Sequence, residues 1–360
     1  MKIAILAGPL DNQNAGIHVY LKELLRALAA NPNRQHEYIL IREQEDNDFP
    51  EFENVVLPIY ALPGYLPFRL FFVVPWVCWR LGVDAVFEPA HFGPFNLPKR
   101  IKRITFIHDL TPILFPQFHT WRGSYLQKWF LPTILRKADL VITNSEHTKA
   151  DVEKVYPVTK GKVERIYLGY ADNFQPKTDA SVLTKYGIQQ PYFLNVGTIE
   201  PRKNLSVLLT AFEQFKKEIG AAHQLVFVGS KGWKCEAFFE QLENHPFRSD
   251  IVLPGYVEFA DLPVLYTMCE RFIYPSIYEG FGLPIVEARA CGARCIVAKN
   301  SSLVEVGGEE STYFTSVEEL MAALISVNGQ KNSKEIKPDL SQFSWQRHQE
   351  AFEQALQKLA

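Results

Sequence analysis

The stretch Pro275-Ser276-Ile277-Tyr278-Glu279-Gly280-Phe281-Gly282-Leu283-Pro284-Ile285-Val286-Glu287-Ala288 sets two carboxylates across a turn that holds two glycines. Ionised carboxylates only accept hydrogen bonds, so the pair suits the vicinal hydroxyls of a ribose or a hexose. Gly280 and Gly282 allow a tight turn and a close backbone approach to a ligand, and Pro284 falls just inside a helix start. The pattern predicts helix from Ile285 to Ala290, with Glu287 in the first turn and Glu279 in the loop before it. The free N–H groups of such a helix start suit a phosphate.

A second constellation, Val196-Gly197-Thr198-Ile199-Glu200-Pro201-Arg202-Lys203-Asn204, puts two adjacent cations after a glycine turn and a proline. Arginine forks onto phosphate oxygens and lysine adds a compact charge, so the two can neutralise a pyrophosphate without a metal. A third is Phe106-Ile107-His108-Asp109-Leu110. A histidine there titrates near neutrality and exchanges hydrogen bonds, with Asp109 placed to orient it. A structural histidine beside a loop-capping aspartate fits the same residues. Ser145, in Thr143-Asn144-Ser145-Glu146, reads either as a site residue or as a helix N-cap with Thr148 in the first turn.

These groups can meet only if the strands before them end on one rim. Apolar runs at Lys2 to Leu6, Tyr38 to Ile41, Ala85 to Phe87, Ile104 to Ile107 and Leu140 to Thr143 read as strands. Between the first two, Gly16 to Ala30 reads as helix, with Val19, Leu21, Leu24, Leu25 and Leu28 at helical spacing. The second half repeats the scheme with strands at Tyr192 to Val196, Leu225 to Val228, Ile251 to Leu253, Phe272 to Tyr274 and Cys295 to Val297. Alternation of this kind predicts parallel, doubly wound α/β domains, whose ligands sit outside the carboxyl ends of the strands. The polar, proline-bearing run Tyr170 to Lys177 reads as the linker. The expected division is 1–172, 173–345 and a final helix 346–360.

At 360 residues and 47% hydrophobic content the chain can bury a large core, and a net charge of -2 gives no electrostatic case for nucleic-acid binding. Five cysteines without CxxC pairs point to a reducing compartment and away from structural zinc. Met1 to Gly8 lacks the basic lead of a signal peptide, so the expected location is cytoplasmic. No GxGxxG follows the first strand, which reads on as the loop Gly8 to Gly16, and no GxxxxGK[ST] is present. Asp46-Asn47-Asp48 is formally a metal-binding DxD, but it lies in the acidic loop Glu43 to Glu53 without a second ligand cluster, and no metal is expected. The run Leu70 to Trp79, flanked by Arg69 and Arg80, is too short to span a bilayer. Buried core and an aromatic surface resting on a membrane both fit it, and Lys99, Arg100, Lys102 and Arg103 add cations nearby.

The opening segment resembles the Glu-x7-Glu signature of retaining GT-B glycosyltransferases of family 4, including its Gly-Phe-Gly-Leu-Pro. Gly197, Arg202, Lys203 and Asn204 resemble that family's Gly-x-x-x-x-Arg-Lys-Asn, and Phe343-Ser344-Trp345 its approach to the last helix. The resemblance implies two Rossmann-like domains facing a cleft, domain closure, and no cofactor. It gives Arg202 and Lys203 the nucleotide diphosphate, Glu287 the ribose and Glu279 the donor sugar. Backbone groups at Gly280, Phe281, Gly282 and Leu283 would hold sugar and phosphates, Gly16 and Gly197 the phosphates, and Tyr256 and Val257 the base. His108, Asp109 and Ser145 fall on the acceptor side, with His108, Glu279, Arg202 and Lys203 at the chemistry. His108-Asp109-Leu110-Thr111-Pro112, with Phe115-Pro116 and His119, resembles bacterial polysaccharide mannosyltransferases and implies GDP-mannose as donor. The acceptor would be a saccharide or a lipid-linked saccharide, with peripheral membrane contact. A UDP-sugar-dependent transferase, a nucleotide-sugar epimerase and a non-catalytic nucleotide-sugar-binding protein stand as alternatives. Asn328 to Lys337 reads as a short, polar stretch without a packed core.

Overall fold

The computed structural model describes residues 1–12, 15–46, 48–119, 121–220, 222–326 and 338–359. The polar stretch 328–337, Asn47 of the DxD, and residues 13 and 14 of the first loop lie outside them. The chain divides into two units, Met1–Gly169 with Gln342–Ala360, and Tyr170–Ser341.

The first unit is built on β1 (Lys2–Leu6), β2 (Glu37–Arg42), β3 (Glu53–Val56), β4 (Ala85–Glu88), β5 (Lys102–Ile107), β6 (Leu140–Thr143) and β7 (Val163–Arg165). They form one parallel sheet in the order β3-β2-β1-β4-β5-β6-β7, with Ile3 opposite Tyr38 and Ala85, and Ile107 opposite Thr143. β4 and β6 are buried along their whole length, as in a sheet covered on both faces. Because β1 lies between β2 and β4, the order reverses there, and the rim beyond β1 and β4 is the topological switch point.

Two local readings are corrected here. Gly8–Asn12 is helical, not loop: Pro9 is at home in a first turn, and Asp11 is held by Arg42, whose Nη2 donates to Oδ1 at 2.5 Å. In helix Ala15–Ala30, Leu21, Leu24, Leu25 and Leu28 are fully buried while Val19 faces out at 40% exposure, so the apolar stripe is narrower than its spacing suggested.

Leu70 to Trp79 belongs to a continuous helical run, α over Tyr65–Phe68, π over Arg69–Val73 and α over Val74–Arg80. Pro75 has no N–H for the Phe71 carbonyl, which Asn96 Nδ2 reaches instead at 3.2 Å. The run is buried on one side, through Val74, Val77 and Cys78 against Ala4, Ile39 and Val86, and open on the other.

Helix Trp345–Gln357 closes the same unit. Ser344 caps it by accepting from Arg347 N at 3.2 Å, Phe352 meets Phe87 at 5.0 Å between ring centroids, and Tyr38 OH donates to Glu353 at 3.1 Å. The Trp345 backbone lies so near Gly169 that a Cβ there would overlap it.

The second unit contains β8 (Tyr192–Val196), β9 (Gln224–Val228), β10 (Ile251–Gly255), β11 (Arg271–Tyr274), β12 (Cys295–Ala298) and β13 (Thr312–Phe314). The parallel order β10-β9-β8-β11-β12-β13 is the doubly wound arrangement, with the switch point between β8 and β11. Both units are therefore Rossmann-like. The turns after β8, β9 and β10 pass through Gly197 (φ 149), Gly229 (φ 148) and Gly255 (φ 75). A Cβ on Gly229 would overlap the Gly197 carbonyl, and Gly229 N donates to Gly255 O at 3.1 Å, so three strand ends lie against one another as bare backbone.

No helix among the described residues is long and apolar enough to cross a membrane.

Candidate functional site

The switch point of the second unit collects an ion-pair network from two strand ends. After β8, Pro201–Lys203 turns as a 3-10 helix behind an extended Glu200; after β11 the chain runs through Tyr278-Glu279 into helix Leu283–Ala290. Glu279 takes Arg202 Nη1 on Oε2 and Lys203 Nζ on Oε1, the latter at 2.6 Å. Lys203 also donates to Tyr274 OH at 2.7 Å, and Arg202 Nη2 to Glu200 Oε1 at 2.6 Å. Arg202 Nη1 reaches the Tyr278 carbonyl at 3.0 Å as well, so the fork of one arginine is fixed on both arms.

Glu200, Lys203 and Glu279 are each less than a tenth exposed. Burial alone would raise the Glu279 carboxyl, but the Arg202 and Lys203 charges outweigh it and hold the group down at about 2. Lys203 is likewise pushed down by burial and lifted above its ordinary range by Glu279. Two carboxylates and two cations make the network neutral, which is what permits it inside the protein.

The turn that carries Glu279 is pinned from the next strand. After β12, Ser302 Oγ shares its one proton between the Glu279 and Phe281 carbonyls at 2.9 and 2.8 Å, Glu279 N donates to Ser301 Oγ at 3.1 Å, and Asn300 Nδ2 donates to Ser276 O at 3.0 Å. Gly280 and Phe281 are buried, and Gly282, at φ 102, starts the helix with Leu303 Cδ2 only 3.0 Å from where a Cβ would sit. Leu283 and Pro284 form the first helical positions, so Glu287 lies in the second turn and not the first. Glu287 is half-buried, and Tyr266 OH donates to its Oε2 at 3.1 Å. Burial raises its carboxyl to about 7, with the tyrosine working in the opposite direction. The two glutamates are thus electrostatically unlike: one is locked as an anion, the other titrates at neutrality. Past β10, Tyr256 is 80% exposed while Val257 is buried.

In the first unit the rim carries a different chemistry. His108 follows β5, and its Nε2 lies 2.9 Å from the Pro89 carbonyl, which can only accept. Nε2 therefore bears the proton and Nδ1 the lone pair. His108 N donates in turn to His91 Nε2 at 2.9 Å, so His91 is protonated on Nδ1. The His91 and Phe106 rings pack on His108 at 5.1 and 4.4 Å, and Tyr20 meets it edge-on at 5.1 Å. Burial, followed by the neighbouring His91, pushes His108 down to about 3. The expected titration near neutrality is overturned: His108 is a neutral, tautomer-fixed imidazole. Asp109 Oδ1 accepts from Thr111 N and Oγ1 at 2.9 and 2.6 Å, an Asx turn that leads into helix Thr111–Leu114. Ser145 also caps, accepting from Thr148 N at 3.0 Å from a fully buried position. Gly16 is exposed in the first turn of its helix, with open space where a Cβ would stand.

Several groups at these rims carried no sequence signal. At the first switch point Glu88, at the end of β4, is buried, takes Ala90 N on Oε1 at 2.7 Å and is raised by burial to about 8. Glu43, past β2, accepts from Asn12 Nδ2 at 2.7 Å. Only its position, one residue beyond a strand, could have marked it. Glu200, Tyr266, Tyr274 and Ser302 similarly look like ordinary loop, helix or strand residues in one dimension. Asp46 of the formal DxD faces Arg42 at 3.4 Å, and among the described residues no three His, Cys, Asp or Glu side chains form a group that could hold a metal ion.

Two family models match. Glycosyltransferase Family 4 covers residues 15–173 and Glycosyl transferases group 1 covers residues 184–333. The chain is 34% identical over 226 residues to the O-antigen chain mannosyltransferase B of Escherichia coli, an alignment that takes in 61% of this chain and 59% of that protein. It is 27% identical to the serotype-specific mannosyltransferase WbdA of Escherichia coli over 59% of this chain and 27% of the relative, so it spans about three fifths and a quarter of these two proteins. Among solved structures, a sucrose-phosphate synthase from Thermosynechococcus elongatus superposes with a TM-score of 0.69 at 18% identity, covering 100% of this chain and 94% of that one.

Proposed function

From a chain that belongs to the GT-B glycosyltransferases joining a Glycosyltransferase Family 4 domain to a Glycosyl transferases group 1 domain, we infer a metal-independent retaining hexosyltransferase. It moves mannose from GDP-mannose to a saccharide or lipid-linked acceptor in polysaccharide biosynthesis, in the cytoplasm and in peripheral contact with the membrane. The observation that carries this reading is the Arg202–Glu279–Lys203 network at the switch point of the second sheet. The mannosyltransferase names of the relatives support the choice of sugar.

In the reaction the bond from the anomeric carbon to the diphosphate breaks, and the acceptor oxygen bonds to that carbon on the same face. Its proton passes to the departing phosphate oxygen. Arg202 and Lys203 meet the diphosphate, whose negative charge grows as the bond breaks, so their attraction is strongest in the transition state. Glu279 keeps both cations extended at the strand ends before the donor arrives, so little reorganisation accompanies binding. It then meets the donor sugar together with the backbone at Gly280, Phe281, Gly282 and Leu283. Glu287, its orientation set by Tyr266, accepts from the ribose hydroxyls. The glycine turns at Gly197 and Gly229 let phosphate oxygens approach the backbone, and Tyr256 and Val257 present main chain to the base. His108, unable to gain a proton at physiological pH, accepts a sugar hydroxyl through Nδ1 and does not serve as the general base.

A thermal-shift panel of GDP, UDP, ADP and their mannose and glucose derivatives tests the reading. A ligand at a hundred times its Kd stabilises the native state by about 2.7 kcal/mol, a shift of a few degrees in a protein of this size. GDP-mannose giving the largest shift, and releasing GDP when acceptor is added, is the expected outcome. A UDP-sugar winning replaces the donor. Conversion of a nucleotide sugar without acceptor points to an epimerase, and binding without turnover on any acceptor to a non-catalytic binding protein.

A further inference from the structure

The outer side of the helical run Tyr65–Arg80 is apolar and uncovered. Phe68, Phe72, Trp76 and Trp79 recur every three or four residues and each is more than half exposed. On helix Trp121–Lys137, Tyr125 and Trp129 stack at 6.4 Å and are also exposed, as is Leu126. Phe71 and Phe130, adjacent in sequence to Phe72 and Trp129, meet at 5.9 Å between ring centroids. The two exposed rows therefore flank one aromatic seam.

Within the two segments that carry it the charges have one sign. No Asp or Glu occurs from Leu57 to Val83 or from Leu110 to Ala138. Arg80 lies 5.4 Å over the Trp76 ring, Arg100 Nη2 donates to the Trp79 carbonyl at 3.3 Å, and Lys99 and Lys128 are exposed. Rows of Trp, Tyr and Phe bordered by cations match the boundary between headgroups and acyl chains of an anionic membrane. A second copy of this chain is a poorer occupant. In a two-fold pairing it would bring the same cations face to face with no carboxylate from either segment to meet them.

We propose that this face, formed by the outer stripe of residues 65–80 and by Tyr125, Leu126 and Trp129, docks on an anionic lipid surface. The peripheral contact of the proposed function thereby acquires a named surface, and the acceptor's lipid end would be presented beside it. Vesicle binding is read without donor or turnover, so a failure here is distinct from a failure of the transferase reading.

The test is sedimentation of the full chain with phosphatidylcholine vesicles, alone or with roughly a third phosphatidylglycerol. The wild type is expected to partition to the anionic vesicles, with binding lost as salt is raised, a readout that needs no substitution. The double variant Trp76→Ser/Trp129→Ser should lower partition by about tenfold. Arg80→Glu/Lys128→Glu should lower it by about fivefold per cation, and both variants should melt at the wild-type temperature. Equal partition of wild type and both variants, or none by the wild type, overturns the proposal. A wild-type dimer that these variants dissociate, without vesicle binding, assigns the face to a second copy and overturns it too.

Discussion

The two sheets present their carboxyl rims with opposite electrostatics. In the second unit the rim is charged: Arg202 and Lys203 converge on one buried Glu279, and stability depends on the charges cancelling. In the first unit the imidazoles beside β5 are neutral, with His91 and His108 each held in one tautomer by a hydrogen bond that the partner can make in only one way. Under the proposed function, the same doubly wound order supports two recognition strategies. A diphosphate leaving group requires charge that is present at all times. A sugar hydroxyl requires a directed lone pair that does not gain a proton.

The largest effect should come from breaking the charged side. Glu279→Ala leaves buried Lys203 without its carboxylate and Arg202 with that of Glu200, and unfolding by urea is expected to show a loss of about 3–5 kcal/mol along with loss of transfer. His108→Ala, which removes a neutral ring, should cost about 1–3 kcal/mol by the same measurement. Equal losses would erase the contrast. Next, Arg202→Lys keeps the charge but not the fork, and kcat/KM should fall about a hundredfold with the fold intact.

A smaller effect sharpens the comparison within the charged side. Glu287 has its folded carboxyl raised to about 7 from an ordinary 4.5. The folded state therefore binds the proton more tightly than the unfolded chain. That stabilisation is complete below pH 4.5 and is lost as pH rises to 7. Glu287→Gln should accordingly stabilise the fold at pH 8 by an amount on the order of 1–2 kcal/mol, read as a higher melting temperature, and leave it unchanged near pH 4. Nucleotide affinity at pH 8 should fall at the same time, as titration calorimetry would show. The smallest effect concerns His108. With its pKa at about 3, His108→Asn should leave the shape of the pH–rate profile between pH 5.5 and 8 unchanged, even where the rate itself drops. A limb of that profile vanishing in the variant would restore the histidine as an acid or base.

Strands in the interior of each sheet were legible because burial on both faces favours runs of Val, Ile, Leu and aromatic residues, as in Tyr192 to Leu194 or Leu140 to Ile142. The strands that escaped are β3, β7 and β13, with sequences ENVV, VER and TYF. All three are sheet edges, where one side lacks a neighbour and polar residues are tolerated. At the site, Glu279, Glu287, Arg202 and Lys203 stood out because each lies in a local pattern. Tyr266 and Ser302 reach the same networks only through the crossover order of a parallel sheet, which no short window contains, while Glu200 and Tyr274 lie close in sequence to Arg202 and Glu279 but carry no pattern of their own. The charge state of His108 was illegible for another reason: an ordinary imidazole titrates near neutrality, and only the packing of Phe106, His91 and Tyr20 removes that property.

The return of helix Trp345–Gln357 to the first unit sets a schedule for synthesis. Its partners Phe87, Tyr38 and Tyr167 leave the ribosome before the second unit, whereas Phe352, Glu353 and His348 leave after it. All of the second unit is translated in between, which takes roughly ten to thirty seconds at bacterial elongation rates. Through that interval the second unit can fold as an uninterrupted chain while the first keeps an apolar groove open. Of the two units, the one begun first is thus the one completed second, and its unfinished groove is the surface on which a chaperone would act.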